Sequence, residues 1–195
     1  MYSQIRTSML DGICAMPVQV EVDISMGMPV FDMVGYLSPE VREAKERVRT
    51  ALHNCGILLP AKRITVNLSP ANIRKTGTGF DLPIAVALLV AMDLVKPEKC
   101  AGTIFSGELN LSGQLLPVRG ILPMVSDGVK EGIHKFVVPA DNLMESRLVQ
   151  GADVYGFSTL ESVIGYLQDG GYKEPAYGNR RQNRSHGAPD FSEVN

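Results

Sequence analysis

The stretch whose reading decides the fold is residues 60–89, PAKRITVNLSPANIRKTGTGFDLPIAVALL. Ile64, Val66 and Leu68 alternate with polar residues, the period of a strand with one buried face. Arg74-Lys75-Thr76-Gly77-Thr78-Gly79 then reads as a tight, basic strand-to-helix loop. From about 81 to 92 nearly every residue is apolar, so no face remains for water and the spacing predicts a buried central helix.

Upstream, Val18, Val20, Val22 and Ile24 share one face of a strand over 18–24, and a second short strand follows over 30–34. Ser38-Pro39-Glu40 supplies a capping hydroxyl, a first-turn proline and an acid, opening a helix that Gly56 closes. Val41, Ala44, Val48, Leu52 and Cys55 form its inner stripe, leaving Arg42, Lys45 and Arg49 outside. Downstream, strands are expected at 104–105, within 109–116, at 136–138 ending on Pro139, and at 154–157. Helices are expected over 119–132, from Asp141-Asn142, and from a capping box of Ser158 and Glu161 to about Leu167. Without a repeat, this pattern is α+β with a mixed sheet. From Asp169 the glycines and prolines, with Arg180, Arg181 and Arg184, predict a basic linker that buries too little apolar surface to order itself.

Composition narrows the function classes. A chain of 195 residues, 45% of them hydrophobic, is long enough for one substantial core plus a tail. Its formal net charge of -2 exerts no global pull on nucleic acid or anionic membranes, so such binding needs a local patch. Cys14, Cys55 and Cys100 lie far apart among apolar neighbours and read as reduced core thiols of a cytoplasmic protein. The apolar run at 82–92 falls short of the ~20 residues that cross a bilayer.

No Gly-Lys dipeptide occurs, so the chain has no GxxxxGK[ST] phosphate loop. The 74–79 loop reads first as a connection, with anion binding through backbone amides and two cations as the alternative. His53, His134 and His186 stand alone, and Asp127 with Glu131 reads as a solvated helix face, so no metal is assigned. Lys62, Arg63, Arg74 and Lys75, joined by Lys45 and Arg49, are candidates for a cationic patch that meets DNA phosphates. No aromatic side chains interleave with them to stack bases.

The 60–89 stretch, with MPVFDMVGYLSPEVREAKERVRTAL at 28–52 and FSGELNLSGQLLPVRGIL at 105–122, resembles the amino-terminal domain of the YifB/ComM family, the magnesium-chelatase-like AAA+ ATPases. That domain is similar in turn to the proteolytic domain of Lon. The resemblance covers roughly residues 1–167 and implies a Lon-protease-like, ribosomal-protein-like βα sandwich over 1–168. It implies that 169–195 leads to an AAA+ module, whose opening residues 190–195, DFSEVN, resemble, so that the chain reads as a piece cut before its motor. ATP and magnesium belong to that module, as do neighbouring subunits in a hexamer acting on DNA in the bacterial cytoplasm, in branch migration during natural transformation.

The Lon resemblance also implies a serine nucleophile before the buried helix and a lysine base at the start of the later one. Matching the motifs puts these at Gly79, or Phe80 with a one-residue shift, and at Leu122. Neither position can attack a carbonyl or take a proton, so the expectation is a non-catalytic accessory domain. A Ser/Lys peptidase rearranged onto Thr76, Thr78, Ser126 and Lys130, or a protein-binding adaptor, are the alternatives. The apolar surroundings of Leu122 predict that it is buried.

Overall fold

The computed structural model describes residues 1–175. Its centre is a mixed seven-stranded sheet in the order β3-β4-β2-β1-β5-β8-β9. The strands are β1 (Tyr2–Asp11), β2 (Cys14–Ser25), β3 (Val30–Val34), β4 (Arg63–Ser69), β5 (Thr103–Phe105), β8 (Lys135–Pro139) and β9 (Asp153–Phe157). Two further strands, β6 (Glu108–Leu109) and β7 (Leu115–Leu116), form a separate small hairpin. The helices are α1 (Pro39–Asn54), α2 (Asp81–Ala91), α3 (Ile121–Lys130), α4 (Leu143–Ser146) and α5 (Leu160–Asp169).

The β1–β2 hairpin was not expected from sequence. It pairs Tyr2↔Asp23 through Asp11↔Cys14 around Gly12, whose φ of 63° suits the reversal. Ser3, Thr7 and Ser8 are buried on β1, so its inward faces are partly polar and weaken the alternation signal.

Helix α2 is buried at every residue, as its composition requires, and packs on β1 and β2 with α1 against it. A second cluster, from Ile104, Ile121, Val125, Phe136 and Val138, fills the other face under α3. With apolar residues on both sides, β5 and β8 are parallel strands covered twice, which explains their short continuous apolar runs.

Four local expectations need correction. Ser38 makes no side-chain cap to α1; its amide instead donates to the Lys75 carbonyl at 3.0 Å, tying the helix start to the glycine loop. The last helix is capped by Thr159, which accepts from the Ser162 amide at 3.2 Å, one residue later than the expected Ser158 box. Of the cysteines only Cys100 is buried; Cys14 is exposed at the hairpin end and Cys55 is half-buried. Finally, the chain does not leave the fold at Asp169: Tyr172 stacks edge-on against Tyr155 and Phe157, and Glu174 pairs with Arg147 at 2.7 Å. The rest of the expected linker, with Arg180, Arg181, Arg184, His186 and the 190–195 segment, lies outside the described residues.

Candidate functional site

Strand β4 delivers the chain into the glycine loop, and α2 carries it away beneath the sheet. The loop is fastened at Gly79, whose carbonyl accepts from the Gly107 amide at 3.1 Å, while Leu82 donates to the Gly107 carbonyl at 3.0 Å. A cleft of about 410 Å3 opens beside it, lined by Thr76, Thr78 and Gly79 of the loop, by Ser106, Arg119 and Met124, and by Ser8 and Leu10 of β1.

Gly79, where the Lon resemblance places a nucleophile, therefore does lie in a cleft. A Cβ on Gly79 would come within 2.7 Å of the Ser106 Oγ, closer than real contacts allow, so the position is fitted to glycine as it stands. Leu122 does not line this cleft and is 40% exposed, which overturns its expected burial. The reason is the start of α3: Gly120 takes φ 84° to seat the Leu10 side chain, and Ile121, Met124 and Val125 then turn inward while Leu122 faces out. Of the rearranged candidates, Lys130 is engaged by Asp127 at 2.7 Å on exposed α3 surface. Asp127 also accepts from the Ala15 amide at 2.9 Å, and that bond, with Lys130 second, holds its carboxyl below the usual range. It is a strut between α3 and β2 more than a solvated acid.

The expected cationic patch comes together only in part: Arg49 and Lys62 line one groove, but Arg74 and Lys75 do not. Lys75 has no exposed surface: its ammonium turns into the loop and donates to the carbonyls of Pro70 and Ile73, the latter at 2.8 Å. Burial pushes its pKa down. Arg63 is paired with Asp32 at 3.0 Å, and Arg74 lies over the Tyr36 ring at 6.0 Å. Lys62 precedes β4 and Arg74 follows it, so a seven-residue strand, about 20 Å long, separates them. An inward Lys75 leaves the loop unlike a phosphate cradle, and the helix that follows opens on a carboxylate, Asp81.

That carboxylate is the residue the sequence reading missed. Asp81 is fully buried and gripped by Arg47, with Nε to Oδ2 at 2.7 Å and Nη2 to Oδ1 at 2.9 Å, while the Leu109 amide donates to Oδ2 at 3.0 Å. Burial pushes the carboxyl up, and the Arg47 and Leu109 hydrogen bonds pull it back. Arg47 also donates to the Glu40 carbonyl at 3.0 Å, so one guanidinium joins α1, α2 and, through Asp81, β6. The signal was present in sequence as a lone acid opening an otherwise apolar helix.

Residues 20–142 match the family described as subunit ChlI of Mg-chelatase. The chain is 39% identical over 166 residues to the uncharacterized protein YifB of Escherichia coli, covering 85% of this chain and 33% of that protein. It is 40% identical over 162 residues to the competence protein ComM of Haemophilus influenzae, covering 83% and 31%. A Lon protease of Koribacter versatilis is 25% identical over 158 residues, covering 74% and 19%. The chain thus spans about a third of the length of its YifB and ComM relatives.

Proposed function

The chain belongs to the family of Mg-chelatase subunit ChlI, and on that premise we propose that it is a non-catalytic, Lon-like accessory domain of an AAA+ ATPase. One observation carries the reading: the cleft beside the glycine loop has glycine, wedged against Ser106, where a nucleophile would stand, and the matching base position is an outward-facing leucine. A nucleophile and its base must come within ~3 Å, and these two positions supply neither group.

In this reading the domain positions substrate or neighbouring subunits over a motor that holds ATP and magnesium. One relative is named a competence protein, and in this reading the motor's substrate is DNA, in branch migration by a cytoplasmic hexamer. ATP would be held by the motor, since nothing in the glycine loop fits its phosphates. The direct test is exposure of the purified chain to a fluorophosphonate probe and to labelled casein. No labelling and no hydrolysis above a blank is the expected result; covalent labelling within residues 76–79 or at Ser106 would overturn the assignment.

This chain's own contribution to DNA contact is small. With Lys75 buried and Arg63 paired, Arg49 and Lys62 are the members of the expected patch that share one groove, so a gel shift on duplex DNA should show a log-log salt slope near -2 at most. A slope of -4 or steeper would show that a cationic surface other than this one engages DNA.

A further inference from the structure

Strand β3 is an outer strand of the sheet, so one row of its N–H and C=O groups has no ladder partner among the described residues. Beside it runs a groove of about 310 Å3 between β3, the end of α1 and the loop that leads into β4. Val30 and Phe31 both line this groove. The groove therefore lies against the outer strand of the sheet. Ile57, Leu59 and Ile64 make its walls apolar, and Leu58 stands 72% exposed at its margin. Met26 and Met28, 85% and 87% exposed, extend the apolar surface just ahead of the strand.

The charged side chains that line the groove are of one sign. Arg49 and Lys62 line it, and among the described residues no aspartate or glutamate does. Neither Arg49 nor the half-buried Lys62 has a carboxylate within ion-pair distance among the described residues, whereas the next residue, Arg63, is satisfied by Asp32. Cations that merely protect an edge from aggregation sit on the edge strand; β3 carries only Asp32, and these cations reach towards it from α1 and the β4 loop. Apolar walls, an open backbone edge and unpaired positive charge together select an extended chain with apolar and acidic side chains.

We propose that this groove binds an acidic, apolar peptide segment of a partner protein, which adds as a strand along β3 and places its carboxylates on Arg49 and Lys62. The assignment is independent of whether the glycine-loop cleft is catalytically inert.

Fluorescence anisotropy with two fluorescein-labelled, end-blocked octapeptides tests it, one alternating valine with glutamate and the other valine with lysine. The glutamate peptide should bind at least about tenfold more tightly and weaken as salt rises. Arg49→Glu with Lys62→Glu should reverse that preference, and Leu58→Glu should lower affinity for the glutamate peptide by about tenfold, with the melting temperature unchanged. Should the double charge reversal fail to fold, Arg49→Gln with Lys62→Gln is expected to bring the two peptides to equal affinity. Equal binding of both peptides to the wild-type chain, no binding of either, or a preference untouched by these variants would overturn the proposal. So would a concentration-dependent dimer abolished by Leu58→Glu in the absence of peptide binding, which would assign the groove to a second copy of the chain.

Discussion

Lys75 and Asp81 stand at the two ends of one short loop, both without exposed surface, and the fold accommodates their charges by opposite means. Asp81 meets a guanidinium in a two-point contact and a backbone amide besides. Lys75 meets only neutral carbonyls, those of Pro70 and Ile73. A counter-charge gives strong attraction but makes each partner dependent on the other; carbonyl dipoles give less and demand less. The loop is thus held by a charge-paired clamp on the helix side and by a self-contained carbonyl cage on the strand side. The loop reads from sequence first as a connection, and two of its charges, those of Lys75 and Asp81, are consumed in shaping it.

The largest consequence concerns the clamp. Arg47→Leu leaves a buried carboxylate without its counter-ion and is expected to cost about 3–5 kcal/mol in urea unfolding. Adding Asp81→Leu should recover much of that loss, because the double variant buries no charge. A double variant no more stable than Arg47→Leu would show that the guanidinium acts by packing and not by charge.

Next comes the wedge between the two ends. Gly79→Ser is expected to destabilise by about 1–3 kcal/mol because its Cβ must displace the Ser106 hydroxyl, and Ser106→Gly should relieve part of that cost. Together with Leu122→Lys it should still yield no peptidase activity.

The carbonyl cage should be the more forgiving end. Lys75→Met, which removes the ammonium and leaves two carbonyls unpaired, is expected to cost about 1–2 kcal/mol, well below Arg47→Leu. Its sign with pH is distinctive. Burial lowers the folded-state pKa of Lys75, so the native chain releases this proton before the unfolded chain does. The wild type should therefore gain on Lys75→Met as pH rises from the lowered value to about 10.4, the unfolded pKa, and carry the full penalty below that window. A gap that narrows over this range would mean that the cage favours the charged form.

The smallest effect is expected at Leu122→Lys alone. On the exposed face of α3 the change should stay within about 0.5 kcal/mol, as for ordinary surface substitutions. A loss of several kcal/mol would restore the buried placement that the apolar pattern suggested.

Features that depend on neighbours along the chain are legible in the sequence alone. The period of Ile64, Val66 and Leu68 required a half-buried strand, and the apolar run of α2 required a central helix; both follow from local repeat and composition, which tertiary contacts only had to accept. That Gly79 and Leu122, the positions to which the Lon resemblance assigns a nucleophile and a base, carry neither group follows from residue type alone. Only the tertiary structure decided where charges point. Lys75 and Arg74 are adjacent and chemically alike, yet one is caged and the other lies over Tyr36 in solvent. Arg47 and Asp81 are 34 positions apart, and nothing in their spacing announces a clamp until α1 and α2 pack together. Leu122 faces outward because Gly120 rotates the start of α3 to seat Leu10 of β1, a contact between distant segments. Hydrophobic period is a property of the chain; the partner of a charge and the direction of a side chain at a helix end are properties of what folds against it.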